Sequence, residues 1–114
     1  MNVSECQELL KENQGIVILK FTASWCGPCS RIESTIQQNL KKLPKNVDFH
    51  VIDIDENIEL YSFFKNKKML NGIPALLAFY TGNFSYIPND VVIGANIVEL
   101  NLFFERCFKK SASL

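Results

Sequence analysis

A pair of cysteines stands between a largely apolar segment and an amphipathic one, and this arrangement restricts the fold more than any other feature. The segment Ile16–Thr22 is rich in β-branched and aromatic residues and is apolar on both faces, which predicts a buried central strand covered on both sides. After the pair, apolar side chains recur at helical spacing before Pro44, at Ile32, Ile36, Leu40 and Leu43. We therefore expect Cys26 and Cys29 to lie where a buried strand passes into a helix.

The other segments predict helices and strands in the order α-β-α-β-α-β-β-α. Ser4 and Gln7 have the spacing of a capping box that opens the first helix. The remaining predicted elements are helices over 5–13, 58–68 and 96–109 and strands over 47–54, 76–80 and 91–93. Because the first two strands are joined through a helix they should be parallel, whereas the last two form an antiparallel hairpin. The sequence thus predicts one α/β domain, 1–114, with a mixed four-stranded sheet and helices on both faces.

The charge balance and the cysteine usage exclude several classes of function. Twelve basic residues face 12 acidic ones, so the chain offers no electrostatic footprint for nucleic acid or for an anionic membrane. No apolar stretch approaches the roughly 18 residues of a transmembrane helix, and the acidic start does not resemble a signal peptide. We therefore expect a cytoplasmic protein, in which four cysteines would not form a structural disulfide framework.

The spacing of the cysteine pair assigns a separate chemical task to each thiol. Cys26 is placed at the start of a helix, where unpaired N–H groups and the helix dipole stabilise a thiolate and make it a nucleophile. Cys29 lies three residues on, about 5–6 Å away at Cβ on the same helix face, within reach of a disulfide. Pro28 suits the first helical turn because its missing N–H would have no partner there. This geometry predicts that Cys26 attacks a partner disulfide and that Cys29 then releases the partner.

A metal site or an inert pair is the alternative interpretation of the two cysteines. Zinc is usually held by four ligands, often from two such pairs. The chain contains one Cys-x-x-Cys and a single histidine, His50, within a predicted strand. We therefore predict neither a metal site nor a cofactor.

Two separated motifs resemble the thioredoxin family. The segment Phe21-Thr-Ala-Ser-Trp-Cys-Gly-Pro-Cys29 is similar to the family's active-site segment, and Gly72-Ile-Pro-Ala-Leu-Leu-Ala-Phe79 is similar to its second signature. Gly82 and Gly94 match two glycines that follow, and the likeness extends over about residues 15–108. The resemblance implies a thioredoxin fold and a dithiol–disulfide oxidoreductase.

The same resemblance implies a substrate surface and a set of partners. It assigns Pro74 as a cis-proline facing the cysteines, beside which an extended substrate segment would pair with the backbone of Ile73. The implied docking surface consists of Trp25, Gly27, Pro28, Ile73, Pro74, Gly94 and Ala95. The implied partners are protein substrates that contain disulfides and an upstream disulfide reductase, and we expect the protein to be a monomer.

The chain departs from the family at several positions, of which Lys20 matters most. Thioredoxins usually have a buried acid there, and a buried lysine is costly unless it is paired or neutral. Asp53 and Glu33 are the candidate partners. Lys20 either stabilises a nearby thiolate through its charge or only extends its ammonium to the edge of the site. Further departures are Ser30 in place of lysine, Ser34 in place of proline, the missing first edge strand and a hairpin tip over 83–90 that is about four residues longer.

Two classes of function follow from these features. The Gly-Pro pair between the cysteines resembles that of the family's reductants, which implies a protein-disulfide reductase, with a glutathione-linked, glutaredoxin-like activity as a narrower alternative. The other class is a binding module that uses the hairpin tip, whose Phe84, Tyr86 and Ile87 we expect to be exposed or half-exposed. Cys107 lies on the apolar stripe of the last helix and is expected to be buried, whereas Cys6, near the N-terminus, could be exposed.

Overall fold

The computed structural model describes all residues from 1 to 114, and the predicted order of elements is observed. The helices are α1 (Val3–Glu12), α2 (Gly27–Leu40), α3 (Ile58–Asn66) and α4 (Ile97–Ala112). The strands are β1 (Ile16–Thr22), β2 (Val47–Asp53), β3 (Ala75–Tyr80) and β4 (Asp90–Ile93). None of the four helices combines the length and the apolar character needed to cross a membrane.

The four strands form one mixed sheet in the order β2-β1-β3-β4. The β1 strand pairs with β2 in parallel and with β3 antiparallel, and β3 pairs antiparallel with β4. The predicted sheet and its strand directions are therefore confirmed. The largely apolar sequence of β1 is explained by this topology, because a central strand is covered by helices on both faces.

Alternate residues of β1 supply two separate cores. Val17, Leu19 and Phe21 belong to a cluster that includes Leu10 of α1 and Leu60 of α3. On the opposite face, a second cluster packs the sheet against α2 and α4, with members that include Ile16, Ile18, Ile32, Ile36, Leu100 and Phe103. The cysteine pair belongs to the first cluster, so the site is built onto the buried edge of a packed core.

The helix ends differ from the predicted boundaries. The capping box over Ser4 and Gln7 is wrong, because the N-cap is Asn2, whose Oδ1 accepts the Glu5 N–H at 2.8 Å while the Glu5 carboxylate accepts the Asn2 N–H at 2.9 Å. The helix therefore begins at Val3 and ends at Glu12, one residue before the predicted end. The motif helix ends at Leu40, four residues before Pro44, and the last helix continues to Ala112, beyond the predicted 109.

Gly15 is the glycine with least room, and its replacement gives a stability prediction. A Cβ at this position would overlap the backbone carbonyl of Asn46, which accepts the Ile16 N–H at 2.9 Å where β1 and β2 begin. Gly15→Ala is therefore expected to lower the free energy of unfolding by about 2 kcal/mol, the usual cost of forced overpacking. Urea denaturation measures the change, with Gly72→Ala as the matched control because a Cβ at Gly72 meets no atom within 4 Å. Equal stability of the two variants would contradict this prediction.

Candidate active site

The two cysteines lie at the first turn of α2, which follows the C-terminal end of the central strand β1. Cys26 is the N-cap residue, in an extended conformation, and its sulfur accepts the backbone N–H of Cys29 at 3.2 Å. Pro28 lies in the first turn, and Ser30 N–H donates to the Cys26 carbonyl at 3.2 Å. The backbone donor and the helix start that stabilise negative charge are therefore directed at the Cys26 sulfur and not at that of Cys29.

Cys26 and Cys29 form a disulfide, with their Cα atoms 5.3 Å apart. The two residues are similarly buried, at 5% and 4% exposure. Burial alone therefore does not decide which sulfur reacts with a partner. The N-cap position distinguishes them, because a thiolate formed on Cys26 retains the N–H donor that the oxidised form already uses.

Trp25 forms an exposed wall beside the pair. Trp25 is 66% exposed, and its indole Nε1–H donates to the carboxylate of Asp55 at 2.8 Å. Asp53 supports this contact indirectly, because its own carboxylate accepts the Asp55 N–H at 2.9 Å in the turn after β2. Asp55, which the sequence analysis did not identify, is therefore a further residue of this site.

Pro74 is placed next to the motif by the sheet register. Phe21 of β1 pairs with Ala75 of β3, so the residue before Ala75 lies beside the end of β1, from which the chain continues to Cys26. The Ile73–Pro74 peptide bond is cis, the geometry that the family resemblance implies. Gly94, with φ of +97°, donates its N–H to the Pro74 carbonyl at 2.8 Å and thereby holds the adjacent turn against it.

Lys20 is buried and paired. It is 3% exposed on the sheet face that meets α2 and α4, and its ammonium donates to the Glu33 carboxylate at 2.6 Å. Of the two candidate partners, Glu33 makes the contact and Asp53 does not. Partial burial alone would raise the pKa of Glu33, but hydrogen bonds from Lys20 and Gln37 outweigh it, so the pKa is lowered. Glu33 follows Cys29 by one helical turn.

The remaining two cysteines are both buried and chemically quiet. Cys107 is fully buried on α4, as predicted, but the expectation that Cys6 could be exposed is wrong, because α1 turns this side chain toward the sheet and leaves it 3% exposed. Burial raises the pKa of the Cys6 thiol to about 11 and that of the Cys107 thiol to about 12. Both are therefore protonated at neutral pH.

Alkylation of the reduced protein separates these thiols experimentally. At pH 7 we expect iodoacetamide to modify Cys26 at least about a hundredfold faster than Cys6 or Cys107, because only a thiolate reacts and burial keeps the other two protonated. Mass spectrometry of quenched, digested samples gives the three rates, and the two buried thiols are internal controls. A Cys26 rate no higher than that of a thiol in an unfolded peptide would contradict the assignment of the nucleophile.

The hairpin tip lies against α3. Phe84, Tyr86 and Ile87 are 65%, 39% and 55% exposed, as predicted. The Tyr86 ring packs edge-on against Phe63, with ring centroids 5.9 Å apart. No group of three or more His, Cys, Asp or Glu side chains is arranged to hold a metal ion.

Comparison with known proteins consistently matches this chain to thioredoxins. The Thioredoxin family model matches residues 1–101. The chain is 36% identical over 76 residues to "Thioredoxin" of Geodia cydonium, covering 57% of this chain and 71% of that protein. It is 30% identical over 91 residues to "Thioredoxin H8" of Arabidopsis thaliana, covering 80% of this chain and 55% of that one. The crystal structure of Fasciola hepatica thioredoxin superposes with a TM-score of 0.72 at 27% identity, over 93% of this chain and 94% of that chain.

Proposed function

Because this chain belongs to the thioredoxin family of thiol–disulfide oxidoreductases, we propose that it reduces protein disulfides through the Cys26–Cys29 dithiol. The observation that supports this most directly is the 3.2 Å hydrogen bond from the Cys29 N–H to the Cys26 sulfur at the start of α2. This contact supports Cys26 as the proposed nucleophile, because a donor at the helix start stabilises negative charge on its sulfur.

The proposed reaction balances over two exchange steps. The Cys26 thiolate attacks one sulfur of the target disulfide, which forms a mixed disulfide and releases the other target sulfur as a thiolate. Cys29 then gives its proton to solvent and attacks the Cys26 sulfur, which releases the second target thiolate and leaves the disulfide seen in this structure. Two electrons from an upstream disulfide reductase return the pair to the dithiol.

We propose that the substrate segment docks on the surface around the disulfide. Trp25 is exposed and fixed by Asp55, and Gly94 is hydrogen-bonded to Pro74, so this surface is held in place before a substrate arrives. A preorganised surface lowers the cost of ordering an extended segment. The proposed contacts are Trp25, Gly27, Pro28, Ile73, Pro74, Gly94 and Ala95.

The proposal includes the partners and the compartment. Protein disulfides are the proposed substrates, and a disulfide reductase is the proposed electron donor. Two further cysteines, Cys6 and Cys107, are free in this structure, and free thiols persist in a reducing compartment such as the cytosol. We propose that the protein works there as a monomer.

The reduction potential of the pair tests the proposed direction of electron flow. Dithiols that reduce other disulfides have potentials of about −270 to −200 mV, whereas strong oxidants lie near about −120 mV. Equilibration of the protein with glutathione buffers, followed by acid quenching and mass analysis, measures the ratio of dithiol to disulfide. We expect a potential below about −200 mV. A potential near about −120 mV would assign the protein to disulfide formation instead.

We further propose that Lys20 and Asp53 influence the pKa of the cysteine pair. Lys20 places a buried ammonium beside Glu33, one helical turn from Cys29, and Asp53 orders the turn that presents Asp55 to Trp25. In Lys20→Met we expect the thiolate absorbance of the reduced protein to rise at higher pH than in the wild type, because a positive charge near the site is lost. Asp48→Asn on β2 is the control, since its carboxylate contacts His50. Identical titrations of wild type and Lys20→Met would remove Lys20 from this role.

A further inference from the structure

A cavity of about 130 Å³ lies between α1, α3 and the hairpin tip, and none of the residues that line it belongs to the motif 25–29 or to the turn 72–74. We call it the α1–α3 cavity. Its principal walls are Cys6 and Leu10 of α1, Leu60 and Phe64 of α3, and Phe84 and Tyr86 of the tip.

The walls of the α1–α3 cavity select against charge. Eight of the ten lining residues are hydrophobic, and the two polar ones, Gln7 and Ser85, are uncharged. The Cys6 thiol is neutral at pH 7, because burial keeps it protonated. An ion placed here would lose its hydration without gaining a partner, so an uncharged occupant is favoured.

Aromatic rings dominate one side of the cavity and already meet edge to face. The Phe63 ring packs against Phe64 with centroids 5.5 Å apart and against Tyr86 at 5.9 Å, with interplanar angles of 82° and 89°. The ammonium of Lys67 lies over the Tyr86 ring, 5.1 Å from the ring centroid. An additional ring would continue this pattern of edge-to-face contacts.

We propose that the α1–α3 cavity is a binding site for one small, uncharged molecule with a single aromatic ring. The size fits, because an apolar cavity of about 150 Å³ stays dry and takes up benzene. Phe84 lines the cavity and yet remains 65% exposed, so a bound ring would cover apolar surface of Phe84 that now faces water. The site is distinct from the disulfide chemistry, and its ligand is not a redox substrate.

Titration of the full oxidised chain with phenol, observed through backbone amide chemical shifts, tests the proposal. We expect saturable shifts with one site per chain, concentrated in residues 3–10, 60–64 and 84–86. Benzoate is the matched probe, with the same ring and a negative charge, and we expect it to bind at least about tenfold more weakly. Shifts that do not saturate, or that centre on other residues, would overturn the proposal.

Variants at the cavity wall distinguish binding from nonspecific contact. Cys6→Leu fills the cavity and should weaken phenol binding at least about tenfold, whereas Cys6→Ala enlarges it and should retain binding. Thermal unfolding of each variant verifies that it is folded. If Cys6→Leu does not fold, Phe84→Ala decides the matter, because its ring is exposed and its loss should weaken binding at least about fivefold. Wild-type affinity in the variant that decides the test would overturn the proposal.

Discussion

Replacement of Cys26 by serine is expected to reduce insulin reduction at least about a thousandfold, to the rate given by dithiothreitol alone. A serine hydroxyl remains protonated at neutral pH, so the N-cap position of α2 has no anion to stabilise and the first exchange step has no nucleophile. Cys29→Ser is expected to lose turnover for another reason. Its Cys26 thiolate still attacks, but the mixed disulfide persists because no second thiol lies one turn away.

The two results are measured in separate experiments. Turbidity of precipitating insulin chains in the presence of dithiothreitol gives the rate. Intact mass under acid quench, after the pre-reduced variant is mixed with insulin in the absence of dithiothreitol, shows whether target peptide is covalently attached. Cys107→Ala is the control, because this thiol is buried on α4 against the other face of the sheet, and we expect its rate to lie within about twofold of the wild type. Accumulation of mixed disulfide in Cys26→Ser, and not in Cys29→Ser, would reverse the assigned roles.

The order of elements and the cysteine chemistry could be read from local sequence, because both depend on residues close together in the chain. Ile16, Val17 and Ile18 are buried on alternate faces of β1, which requires a layer of helices on each face of the sheet. The largely apolar sequence of β1 predicts this arrangement. The Cys-x-x-Cys spacing fixes the distance between two side chains on one helix. These predictions therefore did not depend on the details of packing.

What the sequence left open depends on which way side chains face in the folded chain. In the sheet, Lys20 lies opposite Val51 of β2, whereas Asp53 lies two residues further along, opposite Thr22. Lys20 instead contacts Glu33 on α2, one helical turn beyond the motif. The contact between Asp55 and Trp25 can be predicted only once the fold places the end of β2 and the motif at the same end of the sheet. The burial of Cys6 likewise follows from the side of α1 that meets the sheet.

Glu33→Ala is expected to lower the free energy of unfolding by about 3 kcal/mol, near the low end of the range for breaking a buried ion pair. The variant leaves the Lys20 ammonium inside the protein without its carboxylate. The cost stays near the low end because the Glu33 side chain is 47% exposed, so water can reach that side of the pair. Urea denaturation at pH 7 measures the loss.

The opposite substitution should cost little, and the difference identifies burial of an unpaired charge as the cause. Lys20→Met puts an apolar side chain into an apolar layer and leaves Glu33 to be solvated, so its stability is expected to be within about 1 kcal/mol of the wild type. The double variant Lys20→Met/Glu33→Ala should then regain most of what Glu33→Ala loses, which a double-mutant cycle quantifies. If Lys20→Met were the more damaging single change, the buried ammonium would be supported by contacts other than Glu33.

The pair also gives a pH dependence whose sign is fixed. Because folding lowers the pKa of Glu33 below its ordinary value of 4.5, the ionised carboxylate contributes stability above that pH. This contribution is lost as the pH falls through the lowered pKa of the folded state. The stability difference between wild type and Glu33→Ala should therefore be largest near neutral pH and should shrink in acid, when Glu33 becomes protonated. A difference that stays constant from pH 7 down to about pH 3 would show that Glu33 supports the fold by packing and not by its charge.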